Sequence, residues 1–401
     1  MVAACPFPSP QGSQVFVEQM SNNLARSGHS VHLLTYGSGR EVTGKGFSHE
    51  RIRRIPGDDR MRSGPSLVKP LLDVLMVRSL LSMVVRERID VIHAHNYEAT
   101  IAALAVRARR RVPVVYHSHN LMGDELPTYF ARAIAGRAAG VLGRALDRFV
   151  PRRADHTIAL CPYSAAILEN YGVEPGRISV IPPAIDDEGE WGARSHAREA
   201  LGLDGDNEVI GYLGNLDRYQ NLELLFTAVR ELMKRRDASP LRLLIATHDV
   251  DSDFDAFAAR HGIEGVARVV PVEDFEGGKR VIEACDILAL PRRLGSGYPI
   301  KLLNYMSAGR PIVTAGCGSK VLTDGVDGLV VADDEPVAMA AAMERLFADP
   351  ALGVTLAANA GRLFQSSLTW RSVIPAIEAA YERCTFAGTG LELSSGAVSA
   401  S

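Results

Sequence analysis

Paired cysteines, nucleotide fingerprints, an excess charge of one sign and long apolar runs are all missing from this chain of 401 residues. Its five cysteines, Cys5, Cys161, Cys285, Cys317 and Cys384, are scattered, with no CxxC pair. That spacing excludes a disulfide framework or a zinc site and points to a reducing compartment. Basic residues number 44 against 47 acidic, a formal charge of −3, so nothing demands a nucleic-acid partner. The N-terminus lacks a basic region followed by an apolar core and a cleavage site, so no secretory signal is expected. The most apolar helical stretch, SLVKPLLDVLMVRSLLSMVV (66–85), is interrupted by Lys69, Asp73 and Arg78 and is ill suited to crossing a bilayer. The fragment GCGSK (316–320) falls short of G-x4-G-K-[ST], which argues against nucleotide triphosphate hydrolysis, and PSPQGSQ is no G-x-G-x-x-G.

What is present is an ordinary globular composition, 47% apolar and 23% charged, in a chain too long for one core. Short β-rich runs alternate with helical ones, the pattern of parallel sheets covered by helices. MVAACPFP reads as a strand, PSPQGS as a loop, QVFVEQMSNNLARSGH as a helix stopping at Gly28, and SVHLLTY as the next strand. DVIHAHN, PVVYHSHN and HTIALCP follow as strands. The rhythm breaks at RISVIPPAIDDEGEWGARSHAREALGL (177–203), whose prolines and acidic cluster read as an interdomain linker. A second alternating set then runs through EVIGYLGN, LELLFTAVRELMKRR, PLRLLIATHD, GGKRVIEACD, ILALP and DGLVVAD. The expectation is an α/β protein of two Rossmann-like domains, with ligands beyond the carboxyl ends of the strands.

Several residues at such places carry chemistry. In the first loop, Gly12 permits close backbone approach and the new helix offers free N–H groups to an anion, although a glycine that merely turns the chain would look the same. His93, His95, His117 and His119 end two neighbouring strands. With no carboxylate beside them, a substrate hydrogen bond from one or two is the better reading than a metal, and core packing fits His93 and His117 equally. In the second half, GYLGNLDRYQNLELL places a glycine turn before a helix, with Arg218 inside it. Arg292 and Arg293 follow a strand, and Lys301 begins the helix of GSGYPIKLLNYMSAGRPIV (295–313). Leu302, Leu303 and Met306 keep to one side of that helix, while Lys301 and Asn304 share another. Together these cations could neutralise a diphosphate; separately each reads as a solvated surface charge. Arg137, Arg144, Arg148 and Arg152 recur at spacings of seven, four and four, with Leu142, Leu146 and Phe149 on another side. This basic amphipathic pattern fits either an anionic membrane surface or an ordinary solvated helix.

The order and spacing of PFPSPQGSQVFVEQMSNNLARSGHSVHLLTY, DVIHAHN, VVYHSHN, ISVIPPAID, IGYLGNLDRYQNLELLFTAV, KLLNYMSAGRPIVTAG and DGVDGLVVADD resemble a GT-B glycosyltransferase of family 4 over nearly the whole length. The resemblance implies two Rossmann-like domains facing each other across a cleft: an acceptor-side domain over 1–184, a nucleotide-sugar domain over 185–368, a helix crossing back over 369–385, and a disordered tail over 386–401. It implies sugar transfer from a nucleotide-diphosphate donor to a glycan, lipid-linked or small-molecule acceptor, with retention of configuration and without metal or other cofactor. By position, Gly12 and Ser13 fall near donor phosphate and acceptor, and His119 falls where the family contacts the transferred sugar. Catalysis would rest on His119, Lys301 and Arg292. Substrate would meet Gly12, Ser13, His95, Asn120, Asn215, Arg218, Gln220, Gly295, Ser296, Gly297, Tyr298 and Asn304.

Departures from the family pattern sit in the donor site. Ser296 and Asn304 stand where the two glutamates of E-x7-E are expected, and Asn215 and Gln220 stand for the arginine and lysine of the G-R-L…K turn. A donor site rebuilt on Lys301, Arg292 and Arg218 is the preferred expectation; a non-catalytic nucleotide-sugar-binding partner of another transferase is the alternative. The expected setting is the cytoplasm, in cell-envelope polysaccharide synthesis, with peripheral contact to the anionic inner membrane surface.

Overall fold

The computed structural model describes residues 1–8, 12–39, 46–55, 68–130, 133–186, 191–236, 240–248, 254–273, 275–293, 295 and 297–389, the side chains of 133, 218, 275 and 385–389 excepted. The chain divides into two compact units: residues 1–182 together with those from 373 onward, and Pro183–Ser372.

In the first unit the elements run β1 (Val2–Ala3), α1 (Gly12–Arg26), β2 (His32–Thr35), β3 (Ser48–Arg51), α2 (Lys69–Arg86), β4 (Ile92–His95), α3 (Asn96–Arg110), β5 (Val114–Ser118), α4 (Met122–Glu125), α5 (Ala133–Phe149), β6 (His156–Ala159), α6 (Pro162–Asn170) and β7 (Ile178–Val180). The seven strands form one sheet in the order β3-β2-β1-β4-β5-β6-β7, every pairing parallel. Helices on both faces explain why β4, β5 and β6 are buried at every position. Leu72, Met76, Leu80 and Met83 of α2 return at helical spacing and pack with Ala99, Ala102, Ala103 and Val106 of α3 over the sheet.

The second unit contains α7 (Arg194–Ala200), β8 (Glu208–Leu213), α8 (Leu222–Arg235), β9 (Leu241–Thr247), α9 (Phe254–Arg260), β10 (Ala267–Pro271), α10 (Phe275–Ala284), β11 (Ile287–Leu290), α11 (Lys301–Ser307), β12 (Ile312–Thr314), β13 (Leu329–Val330), α12 (Pro336–Ala348) and α13 (Pro350–Ser367). Its sheet runs β10-β9-β8-β11-β12-β13, again wholly parallel. Leu222, Leu225, Phe226, Val229 and Leu232 of α8 supply one buried face of the core. The last helix, α14 (Trp370–Thr389), carries the chain from this unit's final residues into the first unit.

Three expectations are corrected. Gly12 and Ser13 open α1 instead of lying in the loop before it, because burial of Phe16, Val17, Met20 and Leu24 draws the helix back over them. The stretch 177–203 is not a continuous linker: β7 lies within it, paired with β6, and α7 lies within it as a formed helix; positions 187–190 lie outside the described residues. The helix expected to stop at 385 continues to Thr389, and the rest of the expected tail, 390–401, lies outside the described residues.

Candidate functional site

In the second unit the site is built where β8 ends. Gly214 follows with φ +143°, a backbone state that side chains other than glycine's rarely adopt, and a Cβ there would stand 1.9 Å from Nζ of Lys301. The missing side chain is therefore the space the lysine fills. Lys301, the first residue of α11, donates from Nζ to Oη of Tyr212 at 2.8 Å, with Nζ 4.6 Å from the ring centroid. Tyr212 in turn donates its hydroxyl proton to the Asn215 carbonyl at 2.8 Å. Burial raises the Tyr212 phenol well above its ordinary value, so it stays protonated and can serve both partners. The Leu213 N–H donates to Oη of Tyr305 at 2.9 Å, which ties the strand end to α11 a second time.

The turn after Gly214 is internally bonded. Asn215 accepts on Oδ1 from Nε2 of Gln220 at 2.7 Å, and its Nδ2 donates to Tyr219 Oη at 3.2 Å and to the Asp217 carboxylate. Gln220 is 3% exposed, and its Oε1 is buried without a partner among the described residues. The two amides standing where a phosphate-binding arginine and lysine are usual are thus spent largely on one another. Arg292, after β11, lies with its guanidinium 5.2 Å from the Tyr219 ring centroid, so it joins this cluster. Arg293 does not: its Nε bonds both carboxylate oxygens of Asp334, at 2.7 and 2.9 Å, and its Nη2 lies 2.7 Å from Oδ1. That ion pair removes Arg293 from the set of free cations the sequence pattern implied.

Asn304 lies one helical turn from Lys301, half-buried, with its carbonyl accepting from the Ala308 N–H and the Ser307 hydroxyl. Its side chain makes no hydrogen bond among the described residues. The Gly297 carbonyl accepts from Lys320 Nζ at 2.7 Å, and Tyr298 is 7% exposed. At Gly295 a Cβ would meet nothing within 4 Å, so space does not require that glycine. Ser296 and the side chain of Arg218 lie outside the described residues.

In the first unit the four histidines form a layer. Register pairs His95 with His117 across β4 and β5, and His119 lies just past the end of β5. His93 Nε2 bonds His117 Nδ1 at 2.9 Å, His95 Nδ1 bonds His119 Nε2 at 3.0 Å, and His93 Nδ1 bonds the Tyr381 hydroxyl of α14 at 2.6 Å. Phe16 of α1 meets His117 and His119 edge-on, at 5.3 and 5.4 Å. His119 is the most exposed of the four at 7%, while His93, His95 and His117 are at 2% or less. Asn120, next in the chain, is half-buried. The layer therefore presents His119 outermost, braced by His95.

His93, His95 and His117 are the described residues that could hold a metal, with ligand atoms within 4.8 Å of one another. Around tetrahedral zinc the nitrogens stand about 3.3 Å apart, so this spread and the mutual hydrogen bonds describe neutral imidazoles bonded to each other. Burial is the first cause of their low basicity: His93 is pushed down to about 3 and His119 to about 4, with His95 and His117 well below 6.5. In the unfolded chain each titrates near 6.5, so below that value the unfolded state binds more protons, and stability falls with pH until the folded values are reached. His49 and His156, also depressed to about 4, add to the same window. We expect the melting temperature to drop steadily from pH 6.5 to 4, at up to about 1.4 kcal/mol per pH unit per buried histidine. A flat profile in a buffer series would contradict neutral burial.

The comparisons with known proteins decide the family. The description "Glycosyltransferase Family 4" matches residues 10–188, and "Glycosyl transferases group 1" matches 207–349. This chain belongs to the GT-B glycosyltransferases of family 4. Similar curated proteins are the D-inositol 3-phosphate glycosyltransferases of Frankia alni, 29% identical over 71% of this chain and 73% of theirs, and of Kribbella flavida, 24% identical over 93% and 91%. Similar solved structures are a sucrose-phosphate synthase from Thermosynechococcus elongatus, TM-score 0.80 at 18% identity over 96% of each chain, and Anabaena HepE in complex with UDP and glucose, TM-score 0.72 at 16% identity over 95% of this chain and 98% of that one. Tyr212, Tyr219 and Tyr305 are the parts of this GT-B site that sequence reasoning passed over. Their signal was present as tyrosines flanking a glycine turn and one position after Asn304.

Proposed function

We propose that this protein is a retaining, metal-independent glycosyltransferase that moves a sugar from a nucleoside-diphosphate donor to a glycan, lipid-linked or small-molecule acceptor. The observation that carries the reading is Lys301, whose ammonium is held over Gly214 at the end of β8 by Tyr212. As the bond from the anomeric carbon to the β-phosphate oxygen breaks, negative charge grows on the departing diphosphate. Fixed cations aimed at that charge lower the barrier, and Lys301 and Arg292 supply two from one cluster. Asn304, one turn along, presents an amide with no hydrogen bond among the described residues, which can donate to or accept from a ribose hydroxyl. Relatives named as glycosyltransferases and neighbours solved with UDP and UDP-glucose support a nucleotide-sugar donor. Five free thiols, four of them buried, fit a reducing compartment.

His119 is assigned to the transferred sugar. Its Nε2 is held by His95, which fixes the ring and leaves Nδ1 for a sugar hydroxyl. His119→Ala is expected to lower kcat about ten- to hundredfold, the cost of one hydrogen bond made to the reacting sugar, with the fold kept and the melting temperature lowered by the loss of the buried bond to His95. Turnover followed by NMR reads both the rate and the anomeric configuration of the product. An unchanged rate would remove His119 from the reaction, and an inverted anomer would overturn retention.

A further inference from the structure

The exposed face of α5 is an amphipathic surface that sugar transfer does not use. Ile134, Val141, Ala145 and Phe149 recur at spacings of seven, four and four. Arg137, Arg144, Arg148 and Arg152 repeat the same spacings three residues later. Residues three apart are neighbours on a helix, so the apolar stripe and the arginine stripe run side by side along α5 and into the turn after it. Ile134 is 83% exposed, Val141 61%, Leu142 57% and Phe149 55%, an unusual concentration of bare apolar side chains on one helix. Leu146, grouped with Leu142 and Phe149 by the sequence pattern, instead packs inward with Tyr97, Tyr116 and Val150.

Charge on this face has one sign. The sole acidic residue from 133 to 153, Asp147, points inward at 1% exposure, where it accepts from the N–H groups of Met122 and Gly123 at 2.8 Å each and from the Tyr97 hydroxyl. No carboxylate among the described residues pairs with Arg137, Arg144, Arg148 or Arg152. A surface cavity of about 790 Å³, lined by Val141, Phe149 and the four arginines Arg144, Arg148, Arg152 and Arg153, gives room for a phosphate headgroup. Close packing fixes the helix that carries them: a Cβ at Gly143 would stand 2.2 Å from the Met122 carbonyl.

We propose that this face seats the protein on a bilayer containing anionic phospholipid, with Ile134, Val141, Leu142 and Phe149 entering the acyl boundary and the arginines reaching headgroup phosphates. Parallel stripes suit that occupant. A helix lying in the membrane plane needs its apolar and basic groups at two adjacent depths along its whole length, and arginine stems snorkel between them. The single sign of the charge points the same way: a second copy of this face would set arginine against arginine, whereas anionic headgroups neutralise the whole row.

The test is co-sedimentation of the full chain with phosphatidylcholine vesicles, alone or mixed with phosphatidylglycerol, at low and high salt. Binding is expected only to the mixed vesicles and to be released by salt. Arg144→Glu with Arg148→Glu is expected to weaken it about tenfold or more at unchanged melting temperature. Leu142→Trp, which keeps the apolar stripe, is expected to show a blue-shifted emission on the same vesicles. Equal binding to neutral vesicles, or none to either, would overturn the proposal. So would release of the protein by free glycerophosphate at matched phosphate concentration, which would assign the arginines to a soluble phosphate. A concentration-dependent dimer abolished by Leu142→Asp would assign the face to a second copy of the chain and likewise overturn it.

Discussion

Lys301→Ala is expected to lower kcat/KM for the nucleotide-sugar donor about 10- to 150-fold, the 1.5–3 kcal/mol typical of a charge-assisted hydrogen bond. The loss should appear in kcat as well as KM. Charge on the diphosphate increases as the glycosidic bond breaks, so the lysine is worth more in the transition state than in the bound donor. Lys301 is half-buried on the first turn of α11, and the fold should survive its truncation. Tyr212 keeps its bond to the Asn215 carbonyl in the variant, so the turn after β8 stays in place. Steady-state kinetics on the variant decide the matter, and parental kinetics would place the diphosphate elsewhere.

Gly214→Ala is expected to damage the same step without touching a charged group. The new methyl would stand 1.9 Å from Nζ and 2.2 Å from Cε of Lys301, so the lysine must leave Tyr212. The φ of +143° adds backbone strain of about 1–3 kcal/mol to stability. Activity should therefore fall as far as in Lys301→Ala, with an added loss of melting temperature. The double variant separates the two effects. Once Lys301 is alanine the clash is gone, so Gly214→Ala should cost stability but little further kcat/KM. The coupling expected from such a cycle is about 1.5–3 kcal/mol, near the whole value of the lysine. Additive kinetic losses would mean that Gly214 acts through the backbone alone.

The architecture was legible because parallel strands buried on both faces read as continuous apolar runs. IGYL, LLIA and ILAL stand out for that reason, and each forms a strand of the second sheet. β3 did not: SHER is polar, sits at the edge of the first sheet and is exposed at Ser48. At the proposed donor site, the lysine could be read from its place after a glycine loop, but its support could not. Tyr212 is 89 residues away from it in sequence, and only the register of β8 against β11 and the course of α11 bring the two together. Arg293 shows the converse error. Nothing local says that its charge is spent on Asp334, 41 residues on, and the sequence therefore offered one cation too many. The histidines were legible as strand-end groups, whereas their mutual bonding depends on the pairing of β4 with β5.

The central claim is that two cations of the second unit have taken over a donor site whose usual carboxylates and basic anchors are replaced by Ser296, Asn304, Asn215 and Gln220. The most direct measurement presents purified protein with UDP-, GDP- and ADP-sugars and follows both the melting temperature and the release of nucleoside diphosphate. A donor that binds the folded chain raises the melting temperature, by the equivalent of about 2.7 kcal/mol at a hundredfold excess over Kd. The account predicts that one of these donors both stabilises the protein and is consumed, and that Lys301→Ala loses most of the consumption. A donor that stabilises the protein yet is never consumed, with or without acceptor glycans, would contradict it and make the chain a nucleotide-sugar-binding partner instead.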